Sequence, residues 1–253
     1  MAESLIGTVA LVTGASSGIG HAAARELAAR GASVVITARR ADRLEELAAT
    51  IVASGGHALT LPADITRRDE AAGVVAATIA QLGRLDTVVN SAGVMFNGPT
   101  LAMPVDDWEA MVDLNLKGLM YVTKAALPHL LEGAATGPRG VTDLVNISSI
   151  AGRIVYEQCP IYCATKFAVN AFTEALRLEF TQRNLRVSVV DPGVTESELF
   201  SHLSPQVLIE YDEGFAAVEK LHAEDVAEAI ASIVANPRRI AVNEVVIRPT
   251  DHK

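Results

Sequence analysis

The 253-residue sequence is poor in aromatic side chains: one Trp, four Tyr and six Phe make up 4% of it, although half of its residues are hydrophobic. The core must then be filled by Ala, Val, Leu and Ile, which suits parallel strands buried on both faces by helices. Cysteine is nearly missing. With only Cys159 and Cys163, a disulfide framework is excluded, and the pair lacks the further Cys or His ligands of a metal site. Both read as small buried side chains in a reducing cytoplasm. Positive charge is short as well, 21 Lys and Arg against 30 Asp and Glu, for a net charge of -9. No Lys/Arg-rich face reverses that balance, so a nucleic-acid partner is not expected. Long apolar runs are missing too: none reaches the ~18 residues of a membrane span. Met1-Ala2-Glu3-Ser4 carries an acid where a secretory leader carries basic residues. The expectation is a cytoplasmic chain with no membrane partner.

What is present is a regular alternation of strand and helix signals. Strands are expected at 8–12, 33–38, 57–61, 85–90, 144–149, 186–191 and 244–247, and helices at 19–30, 42–54, 69–82, 106–131 and 224–235. A further helix follows Pro160. Residues 133–140, rich in Gly, Pro, Ala and Thr, read as an exposed loop. Short connections between βα units predict a doubly wound parallel sheet in one α/β domain spanning 1–253.

Thr13-Gly14-Ala15-Ser16-Ser17-Gly18-Ile19-Gly20 joins the first strand to the first helix. Glycines there let backbone approach a pyrophosphate, and the helix N-terminus offers free N–H groups to it. A P-loop is excluded, because His21-Ala22 follow Gly20 where Lys and Ser/Thr are needed. The second strand ends in Ala38-Arg39-Arg40. Ala38 gives a ribose diol nothing to hold, whereas Arg39, with Arg40 beside it, can pair with a 2′-phosphate. NADP(H) is therefore expected over NAD(H). Asp64-Ile65 after the third strand and Asn90-Ser91-Ala92-Gly93 after the fourth supply an adenine acceptor and small residues for close passage of the cofactor.

Tyr162 and Lys166 stand four apart at the head of the helix that follows Pro160. That spacing puts both on one helical face. A tyrosine titrates near pH ~10, and a neighbouring cation favours the phenolate, which makes Tyr162 a usable acid or base. Taken alone, the pair reads equally as a surface Tyr and Lys on an amphipathic helix. Ser149 lies thirteen residues before Tyr162, at the end of a strand-like run. Tyr156 is not so placed, since Pro160 occupies the lysine position relative to it. Asn146 and Ser148 are second choices beside Ser149.

Together these residues resemble the short-chain dehydrogenase/reductase family, over nearly the whole chain. The turn, Asp64, Asn90-Ser91-Ala92-Gly93, Asn115, Ser149, Tyr162, Lys166 and Pro192-Gly193 occur in the family's order. The runs Ile147-Ser148-Ser149-Ile150-Ala151-Gly152-Arg153 and Ile247-Arg248-Pro249-Thr250-Asp251 are similar to NADP-dependent bacterial members, among them clavulanic-acid-type and 3-hydroxy-acid dehydrogenases. The resemblance implies a single-domain Rossmann fold of about seven strands. It implies that Tyr162 exchanges a proton with a carbonyl oxygen or alcohol, that Lys166 lowers its pKa and holds the nicotinamide ribose, and that Ser149 positions the substrate oxygen. Asn115 would kink the long helix and hold a water for proton relay. Pro192, Gly193, Thr195 and Ser197 would meet the nicotinamide, although Thr195 and Ser197 stand where the family has Val or Ile and then Thr. Residues from about 195 to 222 would form a substrate lid. Leu199, Phe200, Leu203, Val207, Leu208, Ile209, Tyr211 and Phe215 give it an apolar face, which predicts a partly apolar alcohol, aldehyde or ketone. Arg153 and His202 are the candidates for meeting a substrate carboxylate. A homotetramer or dimer, joined through the long helix and the Tyr162 helix, is implied. The rival readings are a non-catalytic NADP(H) sensor and a methyl-donor-binding transferase.

Overall fold

β-Branched side chains dominate the strands, and the residues of β1 (Val9–Thr13), β4 (Thr87–Asn90), β5 (Thr142–Ile147) and β6 (Leu185–Pro192) are all buried. The computed structural model describes residues 4–199, 207–209 and 214–252. Its seven strands, with β2 (Ser33–Thr37), β3 (His57–Thr60) and β7 (Glu244–Ile247), form one parallel sheet in the order β3-β2-β1-β4-β5-β6-β7. The register runs through pairs such as Thr13 with Thr37 and with Asn90, and Asn90 with Asn146. Strand order reverses between β1 and β4, so a crevice opens beyond their carboxyl ends.

Two apolar layers cover the sheet. On one face α1 (Gly18–Ala29), α2 (Ala41–Ala53) and α7 (Ala223–Val234) bury residues such as Leu27, Leu47 and Ile230 against Val12, Ile36 and Val190. On the other, α3 (Arg68–Leu82), α5 (Leu119–Thr136) and α6 (Pro160–Phe180) pack Val75, Val122 and Leu176 on Leu11, Val88 and Leu144. Ala, Val, Leu and Ile carry this core, as the shortage of aromatics requires. No helix among the described residues is long and apolar enough to cross a membrane.

Two local departures matter. The expected long helix is α4 (Val105–Val112), a π-helical segment Asp113–Gly118 and α5 in continuous succession. The helix also runs on to Thr136, so the loop expected at 133–140 is helical in its first half. Gly133 permits this: a Cβ there would lie 2.7 Å from the Leu85 carbonyl oxygen. Glycine-rich composition marked close packing here, not a break. β5 stops at Ile147, and Ser149 instead caps a 3-10 turn, Ile150–Gly152, by accepting a hydrogen bond from the Ala151 N–H at 3.1 Å.

Candidate active site

A cleft of about 930 Å³ runs along the carboxyl edge of the sheet. Its first end is the turn after β1. Gly14 has φ +68°, and a Cβ on it would stand 2.7 Å from Ala92 Cα, so only glycine lets this turn lie against the loop after β4. Thr13 Oγ1 fixes that loop by accepting from the Ser91 and Ala92 N–H groups at 3.1 and 3.2 Å. Gly14, Ser16, Ser17, Gly18 and Ile19 line the cleft, facing the start of α1; Gly20 does not, and serves packing, since a Cβ there would meet the Gly14 carbonyl at 2.5 Å.

Arg39 and Arg40 both reach this end. Arg40 is the organised one: its Nη2 donates to Ser16 Oγ and Ser17 Oγ, each at 2.9 Å, and its Nη1 meets Glu198 Oε2 at 2.7 Å. Arg43, which sequence reading passed over, shares the Glu198 carboxylate. Asp64 and Ile65 line the neighbouring wall, but Asp64 Oδ1 already accepts from the Thr66 N–H and hydroxyl at 3.1 and 2.7 Å. Asn90 is off the wall. It is buried, and its amide donates to Asn146 Oδ1 at 2.9 Å and Thr123 Oγ1 at 3.0 Å, so this expected cofactor contact is a strap between strands and helix. Ala92 and Gly93 do line the cleft.

At the other end Ser149, Tyr162 and Lys166 come together from the turn after β5 and the first turns of α6. Pro160 at the first position of α6 sets that helix going just before them. Tyr162 and Lys166 are 6% and 5% exposed, which removes the surface-pair reading. Lys166 Nζ donates to the Ile147 carbonyl at 3.0 Å and lies 5.6 Å from the Tyr162 ring centre. Burial pushes the Tyr162 phenol up to about 12, offset only in part by its hydrogen bond with Ser149. Burial likewise brings Lys166 down to about 8, against the pull of Asp191. The expected lowering of Tyr162 by Lys166 is not seen: burial is the largest influence on the phenol and raises it, and only the Ser149 hydrogen bond acts in the lowering direction. At neutral pH the cluster holds a protonated phenol beside an ammonium.

Asn115 lies behind the wall, in the π-helical segment. Its Oδ1 accepts from the Val94 N–H at 2.8 Å and its Nδ2 donates to the Val94 carbonyl at 2.9 Å. Gly93 stands between Asn115 and Lys166: a Cβ on it would sit 3.4 Å from Asn115 Oδ1 and 3.9 Å from Lys166 Nζ. The second-choice residues are otherwise engaged, Ser148 with the Lys166 carbonyl at 3.2 Å and Asn146 with Thr173 at 2.9 Å.

Pro192 at the end of β6, and Gly193, Thr195 and Ser197 just after it, line the cleft. The Thr195 hydroxyl donates to the Gly193 carbonyl at 3.0 Å, and Ser197 Oγ accepts from the Leu199 N–H at 3.3 Å. Leu199, Val207 and Phe215 bring apolar surface to the cleft, Leu208 packs beside it and Ile209 is exposed. Phe200, His202, Leu203 and Tyr211 lie outside the described residues. Arg153 is not on the wall: it donates to the buried Asp191 at 2.7 Å and to Glu244 at 2.6 Å, so its expected role toward a substrate carboxylate is withdrawn. Tyr156, set aside for want of a lysine partner, nevertheless lines the cleft, as do Phe96, Asn97 and His252. No sequence pattern marks these four, because they arrive from three separate loops, Phe96 and Asn97 together from the one after β4.

A doubly wound sheet, a glycine turn at its switch point and a buried Ser-Tyr-Lys cluster across the cleft define an oxidoreductase class. The short chain dehydrogenase family model matches residues 8–208, and the chain belongs to that family of oxidoreductases. It is 40% identical over 248 residues to the glycine betaine reductase ATRR of Emericella nidulans, covering 98% of this chain but spanning only 19% of that protein's length. An uncharacterized oxidoreductase of Staphylococcus aureus is 34% identical over 95% of this chain and 96% of its own. Among solved structures, a metagenomic short-chain oxidoreductase in complex with NADP superposes with a TM-score of 0.81 at 32% identity, over 98% of this chain and 99% of that one. The 3-ketoacyl-(acyl-carrier-protein) reductase of Brucella melitensis, complexed with NADH, gives 0.86 at 28%, over 97% and 98%.

Proposed function

We propose that the protein is an NADP(H)-dependent reductase of uncharged, partly apolar ketones or aldehydes, also able to run in the alcohol-oxidising direction. The observation that carries this reading is the buried Tyr162, protonated and hydrogen-bonded to Ser149, in one cleft with the glycine turn. The chain's residues fit the cofactor. Gly14 leaves the turn's backbone bare, and the Arg40, Ser16 and Ser17 cluster already holds a carboxylate, as an anion seat should. Arg39, exposed beside it, makes no hydrogen bond or ion pair among the described residues. A 2′-phosphate would meet Arg40 first, with Arg39 and Arg43 at its flanks. When bound, the cofactor supplies the hydride.

Tyr162 then gives its proton to the carbonyl oxygen, and the Ser149 hydroxyl donates to the same oxygen where charge develops. Lys166, charged below about pH 8, draws the phenol toward phenolate as the proton leaves and holds the ribose hydroxyls. Lys166 then restores a proton to the Tyr162 phenolate and regains one from a water held near Asn115, past Gly93. Among the described residues, 195–199, 207–209 and 214–222 belong to the lid. Its apolar side chains, and the withdrawal of Arg153, leave no arginine at the substrate half among the described residues. A carboxylate substrate is accordingly disfavoured against a neutral one. Met120, Phe167 and Leu178, exposed on α5 and α6, support assembly into a dimer or tetramer through those helices.

The test is a panel of neutral aldehydes and ketones beside matched keto acids, each assayed with NADPH and NADH. Neutral carbonyls and NADPH should give the higher kcat/KM. Equal use of both cofactors would remove the phosphate reading, and preference for keto acids the neutral-substrate reading.

A further inference from the structure

The arginines expected to hold the cofactor's phosphate already hold an anion, and it belongs to the chain itself. Glu198 follows β6 by a few residues. One of its carboxylate oxygens is 2.7 Å from Arg40 Nη1, and the other is ion-paired with Arg43 Nη1. Arg40 turns its remaining nitrogens to Ser16 Oγ at 2.9 and 3.2 Å and to Ser17 Oγ at 2.9 Å, so the guanidinium bridges the glycine turn and the lid. The neighbouring Ser197 presses on the same turn, with its Cβ 3.3 Å from where a side chain on Gly18 would begin. Residues 197–199 are therefore tacked across the mouth of the nucleotide end. The two arginines hold the Glu198 carboxyl down at about 2, so this tack stays charged at neutral pH.

We propose that Glu198 is an internal competitor for the cofactor's 2′-phosphate: loading NADP(H) moves Arg40 and Arg43 from the Glu198 carboxylate to the phosphate. The inference rests on the reading that Arg40 takes that phosphate. A phosphate monoester brings more charge and more acceptor oxygens than a carboxylate, so the exchange runs toward the cofactor. It still costs affinity, because a site occupied by its own chain binds only in the fraction of molecules where it is open. NAD(H) carries no group that can displace Glu198, and binds with the tack in place. Glu198 thereby sets how strongly the cleft separates the two cofactors.

Equilibrium titrations of NADPH, NADH, adenosine 2′,5′-bisphosphate and 5′-AMP into the whole protein test this. The variants are Glu198→Gln, Arg40→Met and, as a charge control on the adjacent lid acid, Glu196→Gln. Glu198→Gln should bind NADPH and the bisphosphate about three- to tenfold more tightly, the scale of the two partly exposed ion pairs it gives up. NADH and 5′-AMP should stay within about twofold, and Glu196→Gln should match the native protein throughout. Unchanged or weaker NADPH binding by Glu198→Gln, or an equal gain for NADH, overturns the proposal. The two readings fail differently. If Arg40→Met keeps the native NADPH-to-NADH ratio, the phosphate reading falls and takes the competitor with it. If Arg40→Met loses that ratio while Glu198→Gln binds as the native protein does, only the competitor falls.

Discussion

The two ends of the cleft are built on opposite electrostatic terms. At the nucleotide end the charges stand in water: Arg40, Arg43 and Glu198 have side chains that are 40–44% exposed, and they pair with one another. Such pairs are individually weak, screened by salt and easily exchanged for another anion. At the reaction end Tyr162 and Lys166 are almost wholly buried, and burial is the largest influence moving the phenol up to about 12 and the ammonium down to about 8. The lesson is a division of labour. Groups that must trade partners sit where trading is cheap, and groups that must hold or pass one proton sit where each charge is costly.

The strongest way to break this contrast is to remove the proton and leave the nucleotide end alone. Tyr162→Phe should cut carbonyl reduction by about 10²- to 10⁴-fold, with NADPH affinity within about twofold by titration. Retained turnover would show that the buried phenol is not the acid.

A second probe uses pH. Carbonyl reduction needs the phenol protonated and Lys166 charged, so kcat should stay level below about pH 8 and fall as pH rises through it. Stability should move the other way. Because the folded lysine titrates near 8 instead of its ordinary 10.5, burying its charge costs stability at every pH below 8, and that cost fades as pH rises from 8 toward 10.5. Replacing it by methionine removes the cost. The melting temperature of Lys166→Met, relative to the native protein, should be most favourable at pH 7 and lose that advantage by pH 10. A difference between the two that does not change with pH would contradict the buried-ammonium account.

The smallest effect sharpens the comparison by its silence at the site. Arg153→Ala should leave KM for every carbonyl substrate within about twofold, yet cost about 1–3 kcal/mol of stability, because Asp191 is left buried without its guanidinium. A raised KM confined to keto acids would return Arg153 to the substrate.

Legibility in the sequence divided along similar lines. The order of strands and helices, the glycine turn and the Tyr162-Lys166 pair could be read because each is a short-range pattern with its own spacing. Where a side chain spends its hydrogen bonds could not. Asn90 follows a strand in the expected place, but its amide is used by Asn146 and Thr123. Arg153 lies just past Ser149 in sequence and pairs with Asp191 and Glu244, on β6 and β7. The direction of the Tyr162 shift is hidden for the same reason: a spacing of four reveals a neighbour, whereas burial is a property of the finished fold. Phe96 and His252 reach the cleft from loops far apart in the chain, and neither carries a local signal.

The clasp between Asn115 and Val94 has a consequence for how the cleft comes apart. One side chain satisfies both the N–H and the carbonyl of the Val94 peptide, the service that a neighbouring strand would otherwise perform. Because Asn115 belongs to a helical run continuous from α4 to α5, the loop after β4 is spliced to that run and does not open by itself. This stretch of wall, from Ala92 to Met95, should open only together with the helix that holds it. The surface a substrate would touch there therefore inherits the stability of the core behind it.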